Sequence, residues 1–303
     1  MRRPYKMLIS FFCLCLVALT AISFFTRGHA KQVQSIPEDP HASTAPKMKN
    51  IVFDKRNFSY DGNDEDISFE GDILTILRPG SYRLSGKLTE GRIKIACADG
   101  TVHLILGGVT VSSSYGAVIE TDSSSNLILE AEKNSLNVLS SGSSASRYGH
   151  LPSAAVILRA NTEIIGEGKI ILESAAECGI LSLLDLNLNI TQLTVNAKSA
   201  GILVRDSFYM SGGRLTLKDV SVGISAGSGN MSEGRIKISG GTLTAICKEV
   251  ALSAEREIII TGGNAGIDSK KIYECLRTEN GKKIQGNISV SSSGFPKYNS
   301  GAE

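Results

Sequence analysis

Tryptophan is absent, proline is scarce and aromatic residues make up only 6% of the 303-residue chain. Flat stacking on a crystalline glycan surface leans on wide aromatic platforms, so that mode of binding is disfavoured. An excess of either charge is also missing: 32 basic residues face 30 acidic ones, and a formal net charge of +2 carries no electrostatic footprint of a nucleic-acid binder. Cysteines number six, but Cys13 and Cys15 lie in an N-terminal apolar run, and Cys97, Cys178, Cys247 and Cys275 lack any C-x-x-C spacing. That pattern suits neither a zinc site nor a disulfide-stapled miniprotein, and free buried thiols are the expectation. Helical apolar periodicity of useful length is lacking too, which leaves strands.

Arg2, Arg3 and Lys6 precede an uncharged run from Met7 to Phe25, and Gly28-His29-Ala30 places small residues where a signal peptidase would read them. Residues 1–30 therefore read as a signal peptide or an N-terminal membrane anchor, since the run approaches the length that spans a bilayer. Either reading makes the protein extracellular or cell-surface. Residues 31–50 are polar, hold Pro37, Pro40 and Pro46, and read as a linker to a single domain over 51–303.

Period-2 alternation dominates that domain, as in Arg92-Ile93-Lys94-Ile95 and Arg235-Ile236-Lys237-Ile238, so short strands with one buried face are expected. The chain also repeats itself. Glu177-Cys178-Gly179-Ile180, Ser199-Ala200-Gly201-Ile202, Ser221-Val222-Gly223-Ile224 and Glu249-Val250-Ala251-Leu252 are versions of one phrase, its small residue recurring at 179, 201, 223 and 251. Leu193, Leu215 and Leu243 recur at the same spacings. A unit of about 22 residues cannot bury its own apolar face, so units must stack. The expectation is an all-β, single-stranded parallel β-helix, with Ile180, Ile202, Ile224 and Leu252 in one interior column and Leu193, Leu215 and Leu243 in another. The small residue before the first column, and Ser-Gly-Gly at 211–213 and 239–241, are expected to bend the chain.

ILTILRPGSYRLSGKLTEGRIKIACADGTVHLILGGVTVSSSYGAVIE, from Ile73 to Glu120, resembles the opening of a bacterial carbohydrate-binding β-helix family of the pectin- and cellulose-binding type, and the later Gly-Ile and Ser-Gly-Gly rungs continue the likeness. The resemblance implies a right-handed solenoid, extracellular location and a polysaccharide partner, particularly acidic pectin-type chains. Relatives carry Asp before Gly-Ile, which implies calcium sites. Here Cys178, Ala200, Val222 and Val250 stand in that place, none of them a hard oxygen ligand, so no resident metal or cofactor is expected and calcium stays only as an open alternative.

Asp185 and Asp206 are candidates for stacking on neighbouring turns, where they would share a cation or act as paired carboxylates; the alternative is that each terminates a corner through backbone hydrogen bonds. Arg205 shares the Asp206 corner. The acidic stretch Asp61 to Asp66 lacks the glycine of a calcium loop and reads as a solvated loop. Outward bases, Arg92 and Lys94, Arg214 and Lys218, Arg235 and Lys237, would hold uronate carboxylates if they fell on one side. Thr194, Thr216 and Thr244 would form a ladder on the same face. Among aromatics, Tyr82, Tyr115, Tyr148, Phe208 and Tyr209 are the available sugar platforms, with Tyr148 and His150 the expected exposed pair. The reading is an exported, non-catalytic polysaccharide binder. A structural envelope protein or adhesin with a protein partner, or a pectin lyase or polygalacturonase-like enzyme, remain alternatives.

Overall fold

The computed structural model describes residues 47–122, 126–143, 152–227 and 234–275, with the backbone of two further strands, Lys282–Ile284 and Asn287–Val290. Tyr148 and His150, and the apolar run Met7–Phe25, lie outside the described residues. Among the described residues no helix is long and apolar enough to cross a membrane.

Strands account for nearly all regular structure, and the chain winds as a β-solenoid with about 24 residues per turn. Each turn contributes one segment to each of three parallel sheets. Phe208–Ala226 shows the principle in one strand: its start pairs with Leu186–Ile190, its middle with Leu193–Asn196 and its end with Ala200–Val204. We call these the second, third and first sheets, because each turn enters at its Gly-Ile phrase. The compact unit begins at Pro46, and its first strand, Lys49–Lys55, starts inside the stretch read as a linker.

Both expected columns are present. Ile180, Ile202, Ile224 and Leu252 are in register across successive turns and no more than 2% exposed; Leu193, Leu215 and Leu243 align likewise at 1% or less. Each such side chain contributes roughly 1.5–3 kcal/mol on burial. Thr194, Thr216 and Thr244 form the outward ladder on the third sheet. Tyr82 and Phe208, offered by the sequence as sugar platforms, are fully buried instead, because strand parity turns both into the core.

The glycines divide into two kinds. Gly213 (φ +73°) and Gly241 (φ +87°) hold left-handed bends as expected. Gly201 does not bend the chain: a Cβ there would stand 2.8 Å from the Gly223 carbonyl oxygen and 2.9 Å from Leu217 Cδ2. Gly179 and Gly223 are equally crowded, so the Gly-Ile phrase is small because the backbone of the next turn comes within contact.

The N-terminal end of the solenoid would expose an open strand edge, a template for aggregation. Two antiparallel pairings close it: Asn57–Tyr60 folds back on Lys49–Lys55, and Ile67–Glu70 on Ile73–Ile76, with Phe58 and Phe69 in ring contact. The acidic stretch is therefore a structural clasp. Asp61 accepts from Asn50, and buried Asp66 accepts from Lys49 at 2.9 Å and from the Tyr60 hydroxyl at 3.1 Å. Burial alone would raise the Asp66 carboxyl, but the bonds from Lys49 and Tyr60 outweigh it and hold it below its ordinary value.

Two outcomes follow. Gly213→Ala places a Cβ against the Ile190 carbonyl as well as forcing a strained φ, whereas Gly108→Ala (φ +83°) meets nothing within 4 Å. Denaturant unfolding is expected to show about 1–2 kcal/mol lost at Gly108 and clearly more at Gly213; equal losses would refute the contact. Asp66→Asn is expected to cost about 1–3 kcal/mol at pH 7. A carboxyl depressed by folding stabilises above its unfolded value, about 3.9, and that contribution fades as pH falls through the folded value. Thermal melts of parent and variant should therefore converge in acid, and a constant gap at all pH values would contradict the clasp.

Candidate functional site

The outer surface of the second sheet carries a ladder of polar side chains, one per turn. Glu163 pairs in register with Asn187, Asn187 with Tyr209, and Tyr209 with Lys237. A parallel row starts with Ile165 beside Asn189. The reason is strand parity: Leu186, Leu188, Phe208, Met210, Ile236 and Ile238 point inward, so the residues between them must face out.

A bulge turns this surface into a cleft. Leu188 pairs with Met210 but Asn189 pairs with Gly212, leaving Ser211 as an extra residue in its strand. Such an insertion bends the strand and re-aims its neighbours. Gly212 leaves room for the Asn189 carboxamide, whose oxygen would lie 2.5 Å from a Cβ there. The resulting cleft of about 390 Å³ is lined by Glu163, Asn187, Asn189, Tyr209, Lys237 and Ser239 among others. Its size falls within the range of small-ligand clefts. Carboxamides supply both donors and acceptors, Tyr209 an aromatic face, Lys237 a cation and Glu163 an anion.

Few of the residues singled out from sequence meet here. Asp185 does not stack on Asp206: Leu186 registers with Phe208, which sets Asp185 opposite Ser207, whose backbone N–H it accepts at 3.0 Å. Asp185 thus ties its corner to the backbone of the next turn. Arg205 and Asp206 form the exposed or half-exposed corner leading into the strand that bears Tyr209. Arg214 and Lys218 lie exposed on the third sheet, Arg92 and Lys94 half-buried on the first, and Arg235 half-buried and Lys237 exposed on the second, so the bases do not share one side. Lys94 and Arg235 approach Asp122 and Glu257 at 3.3 and 3.7 Å. Asn187 and Asn189, which the sequence reading passed over, carried a legible signal: alternating with leucines in LNLNI, they had to point outward.

The residues before Gly-Ile do not suit calcium. Cys178 and Ala200 form, with Ala154 and Leu181, an apolar cluster separate from the interior, and Val222 packs against it. Such a surface presents no hard oxygen donor. Among the described residues no group of three or more His, Cys, Asp or Glu side chains could hold a metal ion. Cys97, Cys178 and Cys247 are buried thiols that form no disulfide among the described residues. Burial, reinforced by nearby Glu177, pushes the Cys178 thiol up to about 12, and burial pushes Cys97 up to about 11, so neither is a ready nucleophile.

Comparison with solved structures finds a polysaccharide lyase-like protein from C. thermocellum, studied as a gadolinium derivative, at a TM-score of 0.72 and 23% identity, covering 80% of this chain and 100% of that one. At this identity the likeness establishes the fold, not the activity. No curated protein matches the chain. The family described as carbohydrate-binding domain-containing protein matches residues 70–296, from the clasp through the last strands, and the chain belongs to that family.

Proposed function

We propose that this chain is an exported, non-catalytic polysaccharide-binding protein whose ligand lies along the second sheet. The observation that carries the reading is the one-per-turn ladder Glu163, Asn187, Tyr209, Lys237. Turns are about 4.8 Å apart, so a linear polymer aligned with the solenoid axis meets a fresh polar side chain at each step. Sugar hydroxyls both donate and accept, which suits the asparagines, and the apolar face of a sugar ring suits Tyr209. Family membership supports the carbohydrate as ligand class.

Lys237 favours an acidic, pectin-type chain at one end through charge-assisted hydrogen bonding, while Glu163 disfavours a carboxylate at the other. The ladder would thus select chain direction as well as charge. Hydrolysis of a glycosidic bond ordinarily uses a pair of carboxyl groups, and the cleft lining offers Glu163 alone. The apolar residues before Gly-Ile support binding that needs no calcium, and the basic-apolar N-terminus supports export to the cell surface or beyond. A structural envelope role with a protein partner is the second reading, favoured by the apolar cluster outside the first sheet, where Ile157, Leu183, Leu203 and Val222 are only half-buried.

Affinity electrophoresis of the full chain through gels containing polygalacturonate or a neutral glucan tests the proposal. Polygalacturonate is expected to retard the protein equally with calcium or a chelator. Tyr209→Ala and Lys237→Ala should each weaken retention about tenfold, equivalent to about 1.4 kcal/mol, the Lys237 effect shrinking at high salt. Absence of retention on every acidic and neutral polysaccharide would sink the binding reading. Release of unsaturated or reducing-end products that is lost in Glu163→Gln would overturn the non-catalytic one.

A further inference from the structure

A second cleft, of about 520 Å³, opens at the corner between the third and first sheets near the capped end, on the far side of the solenoid from the ladder. Arg56, Glu70, Asp72, Glu90, Arg92 and Tyr115 line it. Tyr115 is 79% exposed, the highest value among the exposed large apolar side chains described, and nothing in the core requires a ring at this lip.

The corner is built with strain. Glu90 (φ +58°) and Lys55 (φ +58°), which precedes Arg56, are both non-glycine residues in the left-handed region, where bulky side chains are costly. Glu90 is fixed there because its carboxylate accepts from the Ser114 N–H at 3.0 Å and the Ser114 hydroxyl at 2.8 Å. Those bonds, with the nearby Arg56 charge, hold its carboxyl below the ordinary value. Gly116 (φ +78°) leaves room for Arg92: a Cβ there would stand 3.0 Å from the guanidinium Nη1. Among the described residues neither arginine closes a salt bridge, and neither do Glu70 or Asp72. Arg56, Arg92, Glu70 and Asp72 thus stand around an open aromatic ring without salt-bridge partners among the described residues, while Glu90 is held by Ser114.

We infer that this corner is a second saccharide site, taking an uncharged sugar ring. The inference rests on the carbohydrate-binding reading but not on the ladder as its site. An anion would meet three carboxylates against two guanidiniums, and a cation would meet Arg56 and Arg92. A hydroxyl suits both signs, accepting from a guanidinium while donating to a carboxylate, and the Tyr115 face receives the C–H side of the ring. With the ladder on the opposite side, the protein holds two chains at once and bridges an acidic polymer to a neutral one. Such bridging multiplies the retention of a mixed polymer network without further contacts.

Amide NMR spectra of the full chain report on the two clefts separately, through Ser114 to Gly116 for the corner and Tyr209 to Gly212 for the ladder. Cellohexaose is expected to shift the corner amides, and trigalacturonate the ladder amides. Tyr115→Ala and Arg92→Ala, both at the surface, should each weaken the cellohexaose response about tenfold or more and leave the trigalacturonate response unchanged. The parent protein should also raise the turbidity of mixed polygalacturonate and soluble xyloglucan, and Tyr115→Ala should not. If cellohexaose shifts only the ladder amides, or binds Tyr115→Ala as well as the parent, the second site is overturned while saccharide binding stands. If neither cleft responds to either sugar, the carbohydrate-binding reading falls and the second site with it.

Discussion

Parallel pairing between one turn and the next is the interaction on which everything else depends. A single turn has no partner across its own interior wide enough to exclude water, and only when Ile202 lies between Ile180 and Ile224 does its side chain leave solvent. The same pairing fixes the outer surface, since a strand in register on its inner face is in register on its outer one. Interior columns and exterior ladders are two sides of one constraint.

That constraint also explains where variation is tolerated. Crowding at Gly179, Gly201 and Gly223 arises because successive backbones touch at the entry to the first sheet, so the phrase must stay small. The Gly213 bend meets the same constraint, since the Ile190 carbonyl of the preceding turn lies against it. The acidic clasp at the N-terminal end, the Arg205-Asp206 corner and the strained Glu90 corner are built from residues that the core does not dictate. Clefts arise where the regular pairing is disturbed, at the Ser211 bulge on the second sheet and beside the clasp at the capped end.

Cys178, Ala200, Val222 and Val250 give the outer face of the first sheet an apolar character unlike that of the second. Exposed polar side chains gather instead on the ladder of the second sheet and at the capped corner, where the two proposed sites lie. A repeat architecture permits this because each outward column can change chemistry independently while the inward ones hold the coil together.

The sequence by itself determined the solenoid, its interior leucine and isoleucine columns and the threonine ladder, because a fixed period of side chains with period-2 parity is a local property that survives any arrangement of the turns. It also held the outward direction of Asn187 and Asn189. Only the tertiary structure decided that Asp185 faces Ser207 rather than Asp206, that Tyr82 and Phe208 lie inside, that the paired bases fall on three different sheets, and that Tyr115 stands open beside Arg92. These depend on the phase at which each turn meets the next. One extra residue at Ser211, or a corner displaced by one position, changes which side chains become neighbours while leaving the local alternation untouched.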